Sequence, residues 1–121
     1  MILVDTSVWI DHLRATEPVL TNLLARDDVA SHPVVIQELA LGSIKNRDAV
    51  LASLGRLKQV LTLSHHELLT LVSAHALWGN GFSPADAHLL GSILLSPGAQ
   101  LWTREKALKA SAATVGAATV D

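Results

Sequence analysis

The sequence predicts an α/β fold, a small three-layer α/β/α sandwich around a mostly parallel sheet. Three observations carry this. Short apolar runs alternate with longer segments of helical periodicity, the order that builds parallel sheets flanked by helices. Ile2-Leu3-Val4 is a continuous apolar run, as expected of a strand buried on both faces. Helical segments outnumber strands, and several carry their own start signals, a Ser or Thr before the first turn or a Pro inside it.

In order, the first strand runs into Asp5-Thr6-Ser7, which can cap a helix carrying Val8, Trp9, Ile10 and Leu13. A second helix is expected from Glu17 to Arg26, with Pro18 in its first turn and Leu20, Leu23 and Leu24 as its apolar stripe. Val29-Ala30-Ser31 reads as a strand, and Pro33 opens a helix through Leu41. Another helix follows from about Asn46 to Leu57, and Val60-Leu61-Thr62-Leu63 is the next strand. Ser64-His65-His66-Glu67 has the capping-box pattern and heads a helix to about Trp78, stopped by Gly79-Asn80-Gly81. Ser83 and Pro84 start the next helix. Gln100-Leu101-Trp102-Thr103 is strand-like, Arg104 to Ala110 helical, and Ala117 to Val120 a last strand.

At 121 residues the chain has the length of one domain, 1–121, and no repeat, low-complexity tract or linker divides it. With 50% hydrophobic and 17% charged residues it is too apolar for disorder. No apolar run approaches the ~20 residues of a membrane-spanning helix. No basic segment or cleavage site accompanies the first residues, so a secretory signal is not expected and a cytoplasmic protein is. The absence of cysteine excludes disulfides, thiolate metal sites and thiol nucleophiles. The apolar residues exceed what one small core hides, which a homodimer or a tightly held protein partner would explain. The formal net charge of −2 gives no basic field of the kind nucleic-acid binders usually have.

The placement of four acids is the chemical signal. Asp5 closes the first strand, and ligands of open parallel sheets bind beyond the carboxyl ends of strands. Glu105 follows the strand-like Leu101-Trp102-Thr103. Helical spacing puts Glu38 with Val34, Val35 and Leu41, and Asp86 with Leu90, Ile93 and Leu94, so both are expected on inward faces. Carboxylates in apolar company repel one another and are costly without positive partners, and no matching set of buried cations is apparent. A hard divalent cation resolves the conflict, and such a site suits phosphodiester hydrolysis. Each acid also has a plainer reading. Asp5 and Asp86 can cap helices, Glu38 can be a solvated helix residue, and Glu105 can be a first-turn acid favoured by the helix dipole.

Met1-Ile2-Leu3-Val4-Asp5-Thr6-Ser7-Val8-Trp9-Ile10-Asp11 resembles the opening of PIN-domain ribonucleases, specifically the VapC-type toxins of prokaryotic toxin–antitoxin pairs. Val35-Ile36-Gln37-Glu38-Leu39 with Gly42, Ser83-Pro84-Ala85-Asp86-Ala87-His88-Leu89, and Leu101-Trp102-Thr103-Arg104-Glu105-Lys106 resemble that family's second, third and fourth motifs, in order and across the whole chain. The resemblance implies an acidic pocket of Asp5, Glu38, Asp86 and Glu105 holding Mg2+, with Mn2+ as a substitute. Asp5 and Asp86 would ligate directly, Glu38 would complete the pocket or orient water, and Glu105, where the family more often has aspartate, would ligate directly or through water. Thr6, Ser7 and Thr103 are supporting hydroxyls, equally able to cap helices.

The resemblance further implies endonucleolytic RNA cleavage by metal-activated water, inhibition of translation, neutralisation by a VapB-type antitoxin, and pairing of toxin protomers. Setting those four acids aside leaves 7 of the 11 acidic side chains against 9 basic ones. Arg14, Lys45, Arg47, Arg56, Arg104, Lys106 and Lys109 are candidates for RNA-backbone contacts, Arg104 and Lys106 foremost because they flank Glu105.

Other chemistries fall away. His65, His66 and His75 lack the spacing of a helical metal pair, and His12, His32 and His88 are scattered. Trp9, Trp78 and Trp102 are expected to pack in the core or an interface rather than stack on bases. No nucleophile elbow or phosphate-cradling glycine loop is present, and a receiver-type phosphoacceptor site lacks its central-strand aspartate. The alternative from another class is a catalytically silent PIN-like module binding RNA or a partner protein, which the departure at Glu105 would favour.

Overall fold

Strands β1 (Ile2–Val4), β2 (Val29–Ser31), β3 (Lys58–Gln59) and β4 (Gln100–Trp102) form one sheet in the order β3-β2-β1-β4. The computed structural model describes residues 1–120; Asp121, within the expected 1–121 domain, lies outside the described residues. All the strand pairings are parallel. Successive residues of a strand face opposite sides of the sheet, and Ile2, Leu3 and Val4 are all buried. Both faces of β1 are therefore covered by helices, as an apolar run without alternation requires.

Helices α1 (Thr6–Arg14), α2 (Pro18–Ala25), α3 (Pro33–Leu41), α4 (Arg47–Gly55), α5 (His65–Ala74), α6 (Pro84–Leu95) and α7 (Lys106–Val115) supply that cover, giving the expected sandwich. Leu20, Val35, Leu39, Leu89, Leu90 and Leu108 drive their inner faces into the core. Local chemistry sets several starts. Ser64 and Glu67 form a reciprocal capping box on α5, and Ser83 Oγ accepts from the Asp86 N–H on α6. The register pairs Leu3 with Leu101 and Val4 with Trp102, so the next residues of each strand, Asp5 and Thr103, emerge side by side.

Several boundaries differ from expectation. The strand expected at Val60–Leu63 lies at Lys58–Gln59. An edge strand needs backbone pairing rather than an apolar face, and both residues are exposed. Val60 is buried and Leu63 packs over Gly91. Helix α5 ends at Ala74, short of Trp78, because the left-handed Ala76 lets the Leu77 N–H reach back to the Val72 carbonyl at 3.0 Å. Trp78 is thereby left 68% exposed, not in the core; Trp9 is buried as expected and Trp102 half-buried. Helix α7 starts two residues later than expected and runs on to Val115, where Gly116 at φ +77° closes it with an Ala117 N–H bond to the Ala112 carbonyl. The strand expected at Ala117–Val120 is reduced to one parallel bridge between Leu101 and Thr119.

Two buried features generate predictions. His32 caps α3: its Nδ1 accepts from the Val34 N–H, so the neutral ring carries its proton on Nε2, which is buried without a partner. Burial, with the His88 ring 6.3 Å away, pushes its pKa down to about 4. Unfolding restores the ordinary value, so His32 contributes full stability above about pH 6.5 and loses it as pH falls towards 4. Replacement by Asn, which keeps a cap acceptor, should flatten the fall of unfolding free energy over that window by on the order of 1–2 kcal/mol. Parallel curves for the two proteins would remove His32 from the account.

A Cβ on Gly91 would stand 2.5 Å from Leu63 Cδ1 and 3.1 Å from Leu71 Cδ2. The helix gain of ~1 kcal/mol for Gly91→Ala is thus set against overpacking of ~1–3 kcal/mol. Gly91→Ala should destabilise the wild type yet stabilise a Leu63→Ala background, measured as a double-mutant cycle by denaturant unfolding.

Candidate active site

A carboxylate buried at the end of a strand must be hydrogen-bonded. Asp5 is 3% exposed, and its Oδ2 accepts from Ser7 Oγ and from Thr103 Oγ1, each at 2.8 Å. Each hydroxyl has one proton, and both protons point at this oxygen. The same two hydroxyls accept backbone bonds, Ser7 Oγ from the Arg104 N–H and Thr103 Oγ1 from the Glu105 N–H, both at 3.1 Å. The start of α1 and the turn after β4 are thus tied together through Asp5. Although Asp5 occupies the cap position of α1, its side chain makes no cap bond, so the plain capping reading fails for it. The expected supporting role of Ser7 and Thr103 takes the form of fixing this carboxylate.

Glu38, on α3, lies on the exposed rim and not on an inward face. Its Oε1 accepts from Thr6 Oγ1 at 3.3 Å. Its pKa is raised, first by partial burial, then by the Asp5 charge against the opposing Thr6 bond, and further by Asp86. Asp86 is half-buried in the first turn of α6, where Ser83, not Asp86, supplies the cap acceptor. Glu105 is exposed just before α7, and its pKa is raised by partial burial and then by Asp5, Asp86 and Glu38. The structure therefore brings all four predicted acids within electrostatic reach of one another.

Ion pairs among the described residues join the Met1 amine to Asp28, Arg47 to Asp48, Lys58 to Asp27, and Arg104 to Asp11 and Glu17, and none of these reaches the four acids. A donor set of carboxylate and hydroxyl oxygens fits a hard divalent cation. Among the described residues no three Asp, Glu or His side chains converge as arranged on one ion.

The two foremost basic candidates differ in their surroundings. Arg104 donates from Nη1 to Asp11 Oδ2 at 2.5 Å and from Nη2 to Glu17 Oε2 at 2.6 Å, and its guanidinium sits 5.9 Å from the Trp102 ring centroid. Two carboxylates already occupy its charge, whereas Lys106 is exposed in the first turn of α7. Asp11 and Glu17 were not singled out by sequence reasoning. The available signal was the topology itself, since parallel neighbours bring the residues after β1 and β4 to one end of the sheet.

Raised carboxyl values mean that folding disfavours the ionised forms. The penalty is absent at low pH and grows as pH rises through the ordinary carboxylate range towards the raised values. With chelator present, Glu38→Gln or Glu105→Gln should raise Tm at pH 7, by a few degrees at most because both groups are largely exposed, and leave it unchanged near pH 3. Equal gains at both pH values would mean that charge is not the cause.

Comparison with known proteins identifies the family. The family model described as PIN domain matches residues 2–113. Two curated proteins, each named Ribonuclease VapC32 and from two strains of Mycobacterium tuberculosis, are 54% identical over 121 residues, covering 100% of this chain and 98% of theirs. The crystal structure of FitAcB from Neisseria gonorrhoeae matches with a TM-score of 0.65 at 19% identity, over 100% of this chain and 97% of that one. PAE2754 from Pyrobaculum aerophilum matches with a TM-score of 0.61 at 19% identity, over 97% and 86% of the two chains. At such identity these two structures speak for the fold alone. Matched by the PIN-domain model over residues 2–113 and 54% identical over 121 residues to the VapC32 ribonucleases, this chain belongs to the PIN-domain family, among the VapC ribonucleases.

Proposed function

We propose that the chain, folded as one domain, is a divalent-metal-dependent endoribonuclease of the VapC toxin type. The observation that carries this reading is the set of mutually repelling acids, Asp5, Glu38, Asp86 and Glu105, at the carboxyl end of the sheet. Magnesium, or manganese in its place, would be held by Asp5 and Asp86, with Glu38 and Glu105 directly or through water. When bound, the cation offsets the negative charge of the phosphodiester and activates water at neutral pH.

The chain's own residues divide the remaining work. Asp5 Oδ2 is saturated by Ser7 and Thr103, so this carboxylate is fixed in place and its other oxygen, Oδ1, is the one offered to a ligand. Glu38, with Thr6 on Oε1 and a raised pKa, is the better proton acceptor, and its Oε2 is the atom that takes a proton from the attacking water. Lys106 offers charge to the RNA backbone. Arg104, held by Asp11 and Glu17, keeps the turn before Glu105 in position.

The partners in this reading are RNA, a VapB-type antitoxin and a second copy of the chain. Leu41, Leu61, Leu69 and Trp78 are at least half exposed, apolar area that protein partners would cover. No helix is long and apolar enough to cross a membrane, and translation as the target places the protein in the cytoplasm.

Purified protein incubated with total cellular RNA and magnesium should leave discrete cuts, mapped by end-sequencing. Chelator, or Asp86→Asn with an unchanged melting curve, should lower cleavage at least ~100-fold, the scale of losing a group that acts on the transition state. Wild-type cleavage by that variant would dissolve the pocket assignment. Cleavage by none of the proteins under any condition would favour the silent PIN-like module, with calorimetric metal binding deciding whether the acids form a site.

A further inference from the structure

Beside the acids runs a cleft of about 730 Å³, walled by α1 on one side and the turn joining α3 to α4 on the other. Glu38 lines it, and so do Arg14 and Lys45. Ile10, Leu39 and Ile44 give it apolar walls. The volume lies within the range of sites for small organic ligands, and the lining pairs apolar surface with a few polar groups. Both cations are exposed, and neither takes part in the ion pairs among the described residues, which use Arg47, Lys58 and Arg104 instead.

We propose that this cleft is the substrate-strand subsite of the nuclease, seating nucleotides that flank the scissile phosphate, with Arg14 and Lys45 on backbone phosphates. The inference rests on the ribonuclease reading above and deepens it. Free cations opposite apolar walls suit a single RNA strand, whose phosphates seek charge and whose bases and sugars tolerate apolar contact. The presence of Glu38 in the same lining makes the cleft continuous with the acidic site. A strand lying there enters the site from the α1 side, and Arg104, the sequence's foremost candidate for backbone contact, is replaced in that role because its charge is already paired.

The test separates this proposal from the reading it rests on. Binding of a short fluorescein-labelled single-stranded RNA of mixed sequence is followed by anisotropy, in chelator to prevent cleavage, across a salt series. Wild type, Arg14→Ala/Lys45→Ala and Lys58→Ala are compared, with cleavage of total RNA in magnesium measured in parallel. Each lost phosphate contact lowers the salt slope by ~0.7. The double variant should bind roughly tenfold more weakly at low salt with a slope smaller by about 1–1.5, keep its melting temperature, and cleave less. Lys58→Ala should match wild type. A wild type that cleaves while the double variant keeps both affinity and slope would overturn the subsite and leave the cleft to a protein segment. A wild type that neither binds nor cleaves RNA would overturn both readings, and one that binds with the expected slopes but does not cleave would keep the subsite as an RNA-binding cleft and remove the nuclease.

Discussion

Burial of the Asp5 carboxylate at the end of β1 is tolerable only because two hydroxyls donate to the same oxygen, one from α1 and one from the residue after β4. The parallel register of β1 with β4 makes that possible, since it places Thr103 beside Asp5. From there the arrangement spreads outward. The backbone N–H groups of Arg104 and Glu105 close on the same hydroxyls, and the Arg104 side chain reaches across to Asp11 and Glu17. A carboxylate that would otherwise destabilise the fold thus organises the end of the sheet where the other three acids gather. Stability and chemistry are coupled at one residue, which is why its supports come from segments so far apart in sequence.

The remaining acids differ from Asp5 in freedom. Glu38 and Glu105 are exposed and long, while Asp86 is half-buried on α6. The raised values of Glu38 and Glu105 record partial burial first and then the charges of the neighbouring acids. Perturbed groups of this kind tend to cluster at functional sites. Asp5 is thus held by two hydroxyls, while Glu38 and Glu105 carry long side chains at the surface.

Most of the fold was legible because its signals are local. Ile2-Leu3-Val4 announced a buried strand, Ser64 and Ser83 announced helix starts, and prolines 18, 33 and 84 marked first turns. The misplacements arose where tertiary context decides. Lys58–Gln59 pairs at the sheet edge without any apolar pattern, while the apolar segment after it serves as packing. The early end of α5 depended on a left-handed Ala76, which no propensity favours, and it cast Trp78 out to solvent. In the site, the four acids were readable from their company. The exposed position of Glu38 and the pairing of Arg104 with Asp11 and Glu17 were not, since both depend on which elements meet in space.

The meeting of Gly91 with Leu63 and Leu71 links the α5–α6 layer to the segment beside β3 through atoms with no room to spare. Sequence drift at such a contact is ordered in time. A side chain enters position 91 more cheaply once position 63 has shrunk, and restoring Leu at 63 alone then meets the new Cβ. Positions 63, 71 and 91 should therefore vary as a linked set among relatives, a historical trace of packing at a place that carries none of the chemistry.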